Sequence, residues 1–272
     1  RVDAAGVAPG HATLRIGTLR AELTKESFQW TRRTYAAQIV GEGDVVDVEL
    51  LTMDGTTGTA TVRLEQTPLL EGAVVAVENK TGHVLAMAGG FSFQRSKFNR
   101  ATQALRQIGS TFKPILYTAA IDRGLTPATI LNDEPHEFDA GAGQPPYVPR
   151  NYDGKFDGPL TLRTALERSR NIPAVLVMEM LGPAQVAPYA ARFGLPGELP
   201  PYLSSALGAG ESTLLALTSA YSAFPNHGVR MEPSQVLSVT DREGVALEEH
   251  TPVARDAIRA DTAYVMTSLL RG

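Results

Sequence analysis

Pro114 constrains the fold of this chain more than any other residue, because it stands at the edge of a long apolar run. Proline has no amide hydrogen and is tolerated in a helix only near the first turn. The apolar residues that follow Pro114 therefore predict a helix that begins at about Ser110 or Thr111 and ends at Gly124. Gly109 lets the backbone turn sharply into that helix.

This helix start places two reactive groups on one face. Ser110 would lie at the helix N-terminus, where free N–H groups and the positive end of the helix dipole favour developing negative charge. Lys113 follows three residues later, so its amine can reach the Ser110 hydroxyl. A serine hydroxyl needs a base to act as a nucleophile, and lysine can serve when burial lowers its pKa. An S-x-x-K motif also arises by chance, and Ser110 could equally be a plain helix cap.

A second hydroxyl and an amide follow further along the chain, in Ser169-Arg170-Asn171. They come directly after residues 162–168, which are predicted to form a helix with Thr161 as its N-cap. A hydroxyl can relay a proton between a lysine and a leaving group, and a side-chain amide can hold the lysine or the substrate backbone. S-x-N alone also fits an ordinary loop after a helix. Both motifs in this order, each at a helix end, are much harder to explain by chance.

The chain divides into two regions of different pattern. Over residues 1–67, β-branched residues alternate around the turn Asp54-Gly55, which is typical of hairpin strands. We therefore expect a small all-β module there, with Trp30 in its core. From residue 68 onward an early hairpin is followed by a helical block and later strands, which predicts an α+β or α/β sandwich over residues 68–272.

Composition excludes several kinds of chemistry. The absence of cysteine excludes a thiol nucleophile, a thiolate zinc site and disulfides. The five histidines are scattered, so we expect no metal and no cofactor. The formal net charge of −4 gives no indication of nucleic-acid binding. No stretch approaches the roughly 18 apolar residues of a membrane span, so any membrane anchor is expected in a segment outside this chain.

The sequence resembles the transpeptidase region of class A (bifunctional) penicillin-binding proteins over about residues 68–272. The stretch from Asn99 to Pro114 resembles the sequence that leads into the nucleophile of this family. Further similar stretches are Asn151–Leu162, Ser169–Val175, Ala206–Ala209 and Tyr221–Gly228. Residues 1–67 resemble the OB-like module that some Gram-negative members carry before the transpeptidase domain.

The resemblance implies a fold and an activity. The fold would be a β-lactamase/transpeptidase-like α/β sandwich, truncated before its C-terminal strands and preceded by the OB-like module. The activity would be that of a peptidoglycan D,D-transpeptidase, with Ser110, Lys113, Ser169 and Asn171 as catalytic residues. Stem peptides ending in D-Ala-D-Ala would be substrates and β-lactams would acylate Ser110. The full-length protein would also be a glycosyltransferase, anchored at the periplasmic face of the inner membrane.

One motif is misleading. Lys80-Thr81-Gly82 spells K-T-G, but it lies in the turn of the early hairpin, upstream of Ser110. The K-T-G of the family lies on a strand after the S-x-N motif and is expected beyond Gly272. We therefore interpret Lys80-Thr81-Gly82 as a turn without a catalytic role.

Three alternatives stay open at this point. A serine β-lactamase would hydrolyse penicillin, although no Glu-bearing deacylation loop is evident in the sequence. A D,D-carboxypeptidase would use water as the acceptor. A non-catalytic β-lactam-sensing module would be acylated without turnover of a substrate.

Overall fold

The computed structural model describes residues 2–8, 10–139, 143 and 145–272. It contains two compact units, Arg1–Leu70 and Glu71–Gly272. Within the described ranges, no helix combines the length and the apolar character needed to cross a membrane.

The described residues of the first unit form a closed barrel of five strands. The strands are β1 Val2–Val7, β2 Ala12–Ile16, β3 Leu19–Leu23, β4 Val45–Asp54 and β5 Thr59–Glu65. Their order around the barrel is β1-β2-β3-β5-β4, with β1 pairing back to β4. The β3–β5 pair is parallel and the other pairs are antiparallel. The hairpin predicted around Asp54-Gly55 joins β4 to β5.

The barrel core is apolar and is completed by a short helix, α1, Lys25–Phe28. Phe28 is fully buried with Leu14, Leu23 and Val62. The expectation that Trp30 lies in this core is wrong, because its side chain is 49% exposed. Phe28 fills the core, and Trp30 follows it on a 3₁₀ turn, where its indole N–H donates to the carbonyl oxygen of Leu64 at 2.9 Å.

The second unit begins with the predicted hairpin, β6 Val74–Val77 and β7 Val84–Ala88. Lys80-Thr81-Gly82 lies in its turn, as interpreted from the sequence. Gly82 has φ +78°, and a Cβ there would come within 2.2 Å of the Glu232 carbonyl oxygen. The glycine of this K-T-G is therefore required by the turn and its close backbone neighbour.

Within the described residues, six helices form the body of the second unit. Helix α2, Lys113–Asp122, lies at its centre and packs against α4 (Asn171–Leu181), α5 (Pro183–Arg192) and α7 (Ala260–Leu269). Every residue of α2 from Lys113 to Ala120 is buried, as expected for a helix surrounded by others. Helix α4 begins at Asn171, and Pro173 lies in its first turn, where a proline is tolerated. The helices are α2 Lys113–Asp122, α3 Leu162–Glu167, α4 Asn171–Leu181, α5 Pro183–Arg192, α6 Leu214–Ser222 and α7 Ala260–Leu269.

Short antiparallel strand pairs lie between these helices along the chain. The unit therefore contains helices and separate antiparallel sheets, which is an α+β architecture. In the part of the chain that the structure describes, each of these sheets has two strands. The pairs are β8 Arg106–Gln107 with β11 Glu211–Ser212, β9 Ile130–Asp133 with β10 Gly158–Thr161, β12 Val229–Met231 with β15 Ala254–Asp256, and β13 Ser238–Thr240 with β14 Ala246–Glu249.

Candidate active site

Ser110 lies on a 3₁₀ turn, Gly109–Phe112, which leads directly into α2. Gly109 has φ +54°, a conformation that glycine adopts without a steric penalty. Its N–H donates to the carbonyl oxygen of Gly208 at 3.1 Å, and a Cβ on Gly208 would come within 2.0 Å of the Gly109 carbonyl oxygen. The helical start predicted near Ser110 is present, with a first turn tighter than an α-helix.

Lys113 is almost fully buried, with 1% of its surface exposed. Its Nζ donates to the Ser169 carbonyl oxygen at 2.6 Å, to Ser169 Oγ at 3.1 Å and to Asn171 Oδ1 at 2.7 Å. All three acceptors are neutral, and among the described residues no carboxylate forms an ion pair with this amine. Burial lowers the pKa of Lys113 to about 8, which brings its neutral form within reach near physiological pH.

Ser169 presents two acceptors to Lys113 because of an uncommon backbone conformation. Its φ is +52°, and its N–H closes α3 by donating to the Leu166 carbonyl oxygen at 2.9 Å. A non-glycine residue in the left-handed region costs about 1–3 kcal/mol and persists only where the surroundings hold it. The carbonyl and hydroxyl oxygens of Ser169 then both bind the same amine, which links this conformation to the site.

Asn171 opens α4 and is held on several sides. Its Nδ2 donates to the Arg150 carbonyl oxygen at 2.8 Å, while Oδ1 accepts from Lys113. Its backbone N–H donates to Asn151 Oδ1 at 2.8 Å. The side-chain amide of Asn171 is therefore fixed with its oxygen toward the lysine.

The structure thus joins Lys113, Ser169 and Asn171 by hydrogen bonds and places Ser110 beside them. Ser110 is exposed at a cleft of about 330 Å³, which Lys113 and Ser169 also line. The backbone N–H of Lys113 donates to the Ser110 carbonyl oxygen, a 3₁₀ contact that brings side chains three residues apart onto one face. In the described part of the chain, no hydrogen bond joins Ser110 Oγ to Lys113 Nζ, although catalytic hydrogen bonds often tighten only when substrate binds.

Tyr221 is a cleft residue to which the sequence assigned no role. Its hydroxyl donates to the Thr111 carbonyl oxygen at 2.7 Å, beside the nucleophile turn. Burial raises the pKa of Tyr221 to about 12, so the phenol stays neutral and keeps its proton for this bond. Sequence reasoning also gave no role to Asp133 and Asn151, which meet the S-x-N segment only through tertiary structure.

The sequence profile of the penicillin binding protein transpeptidase domain matches residues 72–272. The chain belongs to this family. Penicillin-binding protein 1A of Neisseria gonorrhoeae is 40% identical over 213 residues, which cover 76% of this chain and 27% of that protein. Penicillin-binding protein 1A of Rickettsia conorii is 38% identical over 241 residues, which cover 88% of this chain and 30% of that protein. This transpeptidase-family chain therefore spans less than a third of the length of these relatives.

Solved structures agree with this membership. The crystal structure of penicillin-binding protein 1A from Haemophilus influenzae matches with a TM-score of 0.83 and 28% identity, covering 99% of this chain and 44% of that one. Penicillin-binding protein A of Mycobacterium tuberculosis, solved as an imipenem acyl-enzyme, matches with a TM-score of 0.65. Its 23% identity over 73% of this chain and 56% of that one shows a shared fold. The predicted resemblance to the transpeptidase region of class A penicillin-binding proteins is confirmed.

Proposed function

We propose that the protein containing this chain is a peptidoglycan D,D-transpeptidase with Ser110 as nucleophile and Lys113 as its base. The observation that supports this proposal most strongly is the state of Lys113. Its amine is buried, has a lowered pKa and is bound to Ser169 and Asn171 beside the cleft that exposes Ser110.

In the first step, neutral Lys113 takes the Ser110 Oγ proton as Oγ attacks the carbonyl carbon of the penultimate D-Ala in a stem peptide. A new C–O bond forms, and negative charge develops on the carbonyl oxygen near the helix N-terminus. The lowered pKa of Lys113 matters here, because a lysine with an ordinary pKa would be protonated at neutral pH.

In the second step, the C–N bond to the terminal D-Ala breaks and its nitrogen needs a proton. Ser169 Oγ lies 3.1 Å from Lys113 Nζ, a distance at which it can relay the proton from the lysine to the leaving amine. Asn171 holds Lys113 by its side-chain oxygen during this exchange. An amine from a neighbouring stem peptide then attacks the ester carbon on Ser110. A new C–N bond forms the cross-link, the C–O bond to Ser110 breaks, and Lys113 passes the proton of the amine to Ser110 Oγ, which restores the serine.

β-Lactams would acylate the same serine. Penicillin-binding protein A of Mycobacterium tuberculosis was solved as an imipenem acyl-enzyme, and we extend that chemistry to Ser110. The strained lactam amide replaces the D-Ala peptide bond, and its amine stays attached after ring opening, so no leaving group departs. A long-lived acyl-enzyme is therefore the form in which this protein would accumulate in the presence of penicillin.

We further propose a domain order for the longer protein. A boundary near Pro68 would separate an OB-like module from the transpeptidase domain, and the closed five-stranded barrel supports the OB-like assignment. The relatives are named penicillin-binding protein 1A. From the resemblance to class A penicillin-binding proteins, we also propose a glycosyltransferase elsewhere in the protein, a membrane anchor outside this chain and a periplasmic location.

Labelling with a fluorescent penicillin tests the nucleophile in the full-length protein that contains this sequence. Ser110→Ala should abolish covalent labelling while thermal unfolding stays close to wild type. Ser238→Ala, on the exposed strand β13, is the matched control and should label normally. Labelling of the Ser110→Ala protein would refute the assignment, and cross-linked product from a stem peptide and an amine acceptor would distinguish a transpeptidase from a sensor.

A further inference from the structure

Arg170 lies between the two residues that bind Lys113, yet its own side chain binds a different set of groups. Its Nε contacts Asp157 Oδ2 at 2.7 Å and Asp133 Oδ2 at 3.1 Å. One terminal nitrogen donates to Asp153 at 3.0 Å, and the other pairs with Asp157 Oδ1 at 2.6 Å. The Arg170 side chain is 9% exposed and that of Asp133 is completely buried. This guanidinium is therefore fixed in place by three carboxylates.

Asp133 connects Arg170 to the backbone of the S-x-N segment through Asn151. Asp133 Oδ1 accepts from Asn151 Nδ2 at 2.7 Å, and Asp133 Oδ2 accepts from the Asp157 N–H at 3.0 Å. The other end of the Asn151 amide accepts the backbone N–H of Asn171 at 2.8 Å. Two anchors thus act on consecutive residues of the segment, one on the Arg170 side chain and one on the Asn171 backbone.

These anchors affect Lys113, because the acceptors of its amine among the described residues all belong to residue 169 or residue 171. Ser169 presents its two oxygens only in the left-handed conformation, which a serine does not adopt unless neighbouring contacts impose it. A shift of the segment by a fraction of an ångström would change all three hydrogen bonds together. The ion pairs of Arg170, one of them with the buried Asp133, would restrict such a shift. In this role a buried charge would fix geometry more than it adds stability.

We propose that Arg170, Asp133 and Asn151 are positioning residues that hold the segment from Ser169 to Asn171 in the geometry that binds Lys113. This inference rests on the proposed function of Lys113 as the base for Ser110. None of the three touches the reacting atoms, and they act by fixing the groups that do.

The test measures acylation of the full-length protein by a fluorescent penicillin, with the acylation rate constant separated from the binding constant of the step before it. Arg170→Gln should lower the rate constant about tenfold or more, because misplaced catalytic groups lose rate steeply. Its binding constant should stay within about threefold of wild type, since Arg170 does not line the cleft. Arg170→Lys should recover part of the rate, because one ammonium keeps the charge but cannot bridge three carboxylates.

Asp122→Asn is the matched control, because it removes a charge from a partly buried network at the other end of the same helix. It should acylate within about twofold of wild type. If Arg170→Gln acylates within twofold of wild type while Ser110→Ala is unlabelled, the positioning role is refuted and the proposed function stands. If Ser110→Ala is labelled, the proposed function itself has failed.

Asn151→Ala provides a second arm if Arg170→Gln does not fold. It removes the acceptor of the Asn171 N–H but leaves the ion pairs of Arg170 in place. A several-fold slower acylation with an unchanged binding constant supports the proposal. A folded Asn151→Ala protein that acylates at the wild-type rate overturns it.

Discussion

The two ends of helix α2 carry ionisable groups, Lys113 and Asp122, that differ in their partners and in the charge state that the fold favours. At its start, Lys113 is bound by neutral oxygens only, and burial lowers its pKa to about 8. At its end, burial would raise the pKa of Asp122, but hydrogen bonds from Tyr189, Thr262 and Arg259 together hold that pKa below its ordinary value. Both pKa values are lowered, so both groups lose a proton more easily. For Lys113 this favours the neutral amine, whereas for Asp122 it favours the charged carboxylate.

The difference follows from the partners that each end receives. The carboxylate of Asp122 accepts hydrogen bonds from Tyr189 on α5 at 2.6 Å and from Thr262 on α7 at 3.0 Å, so it links α2 to both of these helices. The amine of Lys113 receives no compensating charge within the described residues. The carboxylate of Asp122 has a cationic partner as well as hydroxyl donors, which stabilise its charge. Lys113 has no anionic partner among the described residues, so burial favours loss of its proton.

Lys113→Met should have the largest effect on the acylation rate, without a loss of stability. Removal of the base should lower the penicillin acylation rate about 10³-fold, within the range of general-base contributions. The protein should be no less stable at neutral pH, because an apolar side chain of similar size avoids burying a cation. Stopped-flow acylation and thermal unfolding measure the two quantities. A large loss of stability with little loss of rate would show that Lys113 is a structural residue.

Substitution of Ser169 should have an intermediate effect. Ser169→Ala should slow acylation about 10–100-fold, because the relay hydroxyl is lost. Ser169→Gly is the matched control, since glycine relieves the left-handed backbone and also lacks the hydroxyl. Equal rates in the two variants would assign the loss to the hydroxyl, whereas recovery in the glycine variant would contradict the relay role.

Of these three substitutions, Asp122→Asn should change the acylation rate least, and its main effect should be on the free energy of unfolding. Loss of the charged acceptor should lower the free energy of unfolding by about 1–3 kcal/mol, with acylation within about twofold of wild type. Because the folded-state pKa is depressed, this contribution is present above the ordinary aspartate pKa of about 4 and disappears as pH falls through the lower folded-state value. Urea unfolding at several pH values measures it, and an advantage of the wild type that grows as pH falls would contradict this assignment.

Local signals in the sequence predicted the parts of this structure that local chemistry determines. Pro114 and Gly109 located the start of α2, and Thr161 caps α3 by accepting the Thr164 N–H as predicted. Trp30 was misplaced, because aromatic character alone does not show which of two nearby rings fills a core.

The sequence predicts which residues form the candidate site, but it does not predict their backbone conformations or their contacts with distant residues. Ser110, Lys113, Ser169 and Asn171 follow from motif and resemblance, and their catalytic roles stay a prediction. The left-handed Ser169 has no sequence signal, because the residue is not glycine or asparagine. The contacts of Asp133 with Asn151 and Arg170 join residues distant along the chain, so only the folded structure reveals them.

The pH dependence of acylation is the most direct measure of Lys113 as the base, because it follows the protonation of this amine in the intact site. The rate constant for penicillin acylation is measured from about pH 6 to pH 10, with unfolding monitored at each pH. A base with a pKa of about 8 predicts a rise of about tenfold per pH unit below that value and a plateau above it. A rate that is flat across this range, or that falls as pH rises while the protein stays folded, would show that Lys113 is not the base.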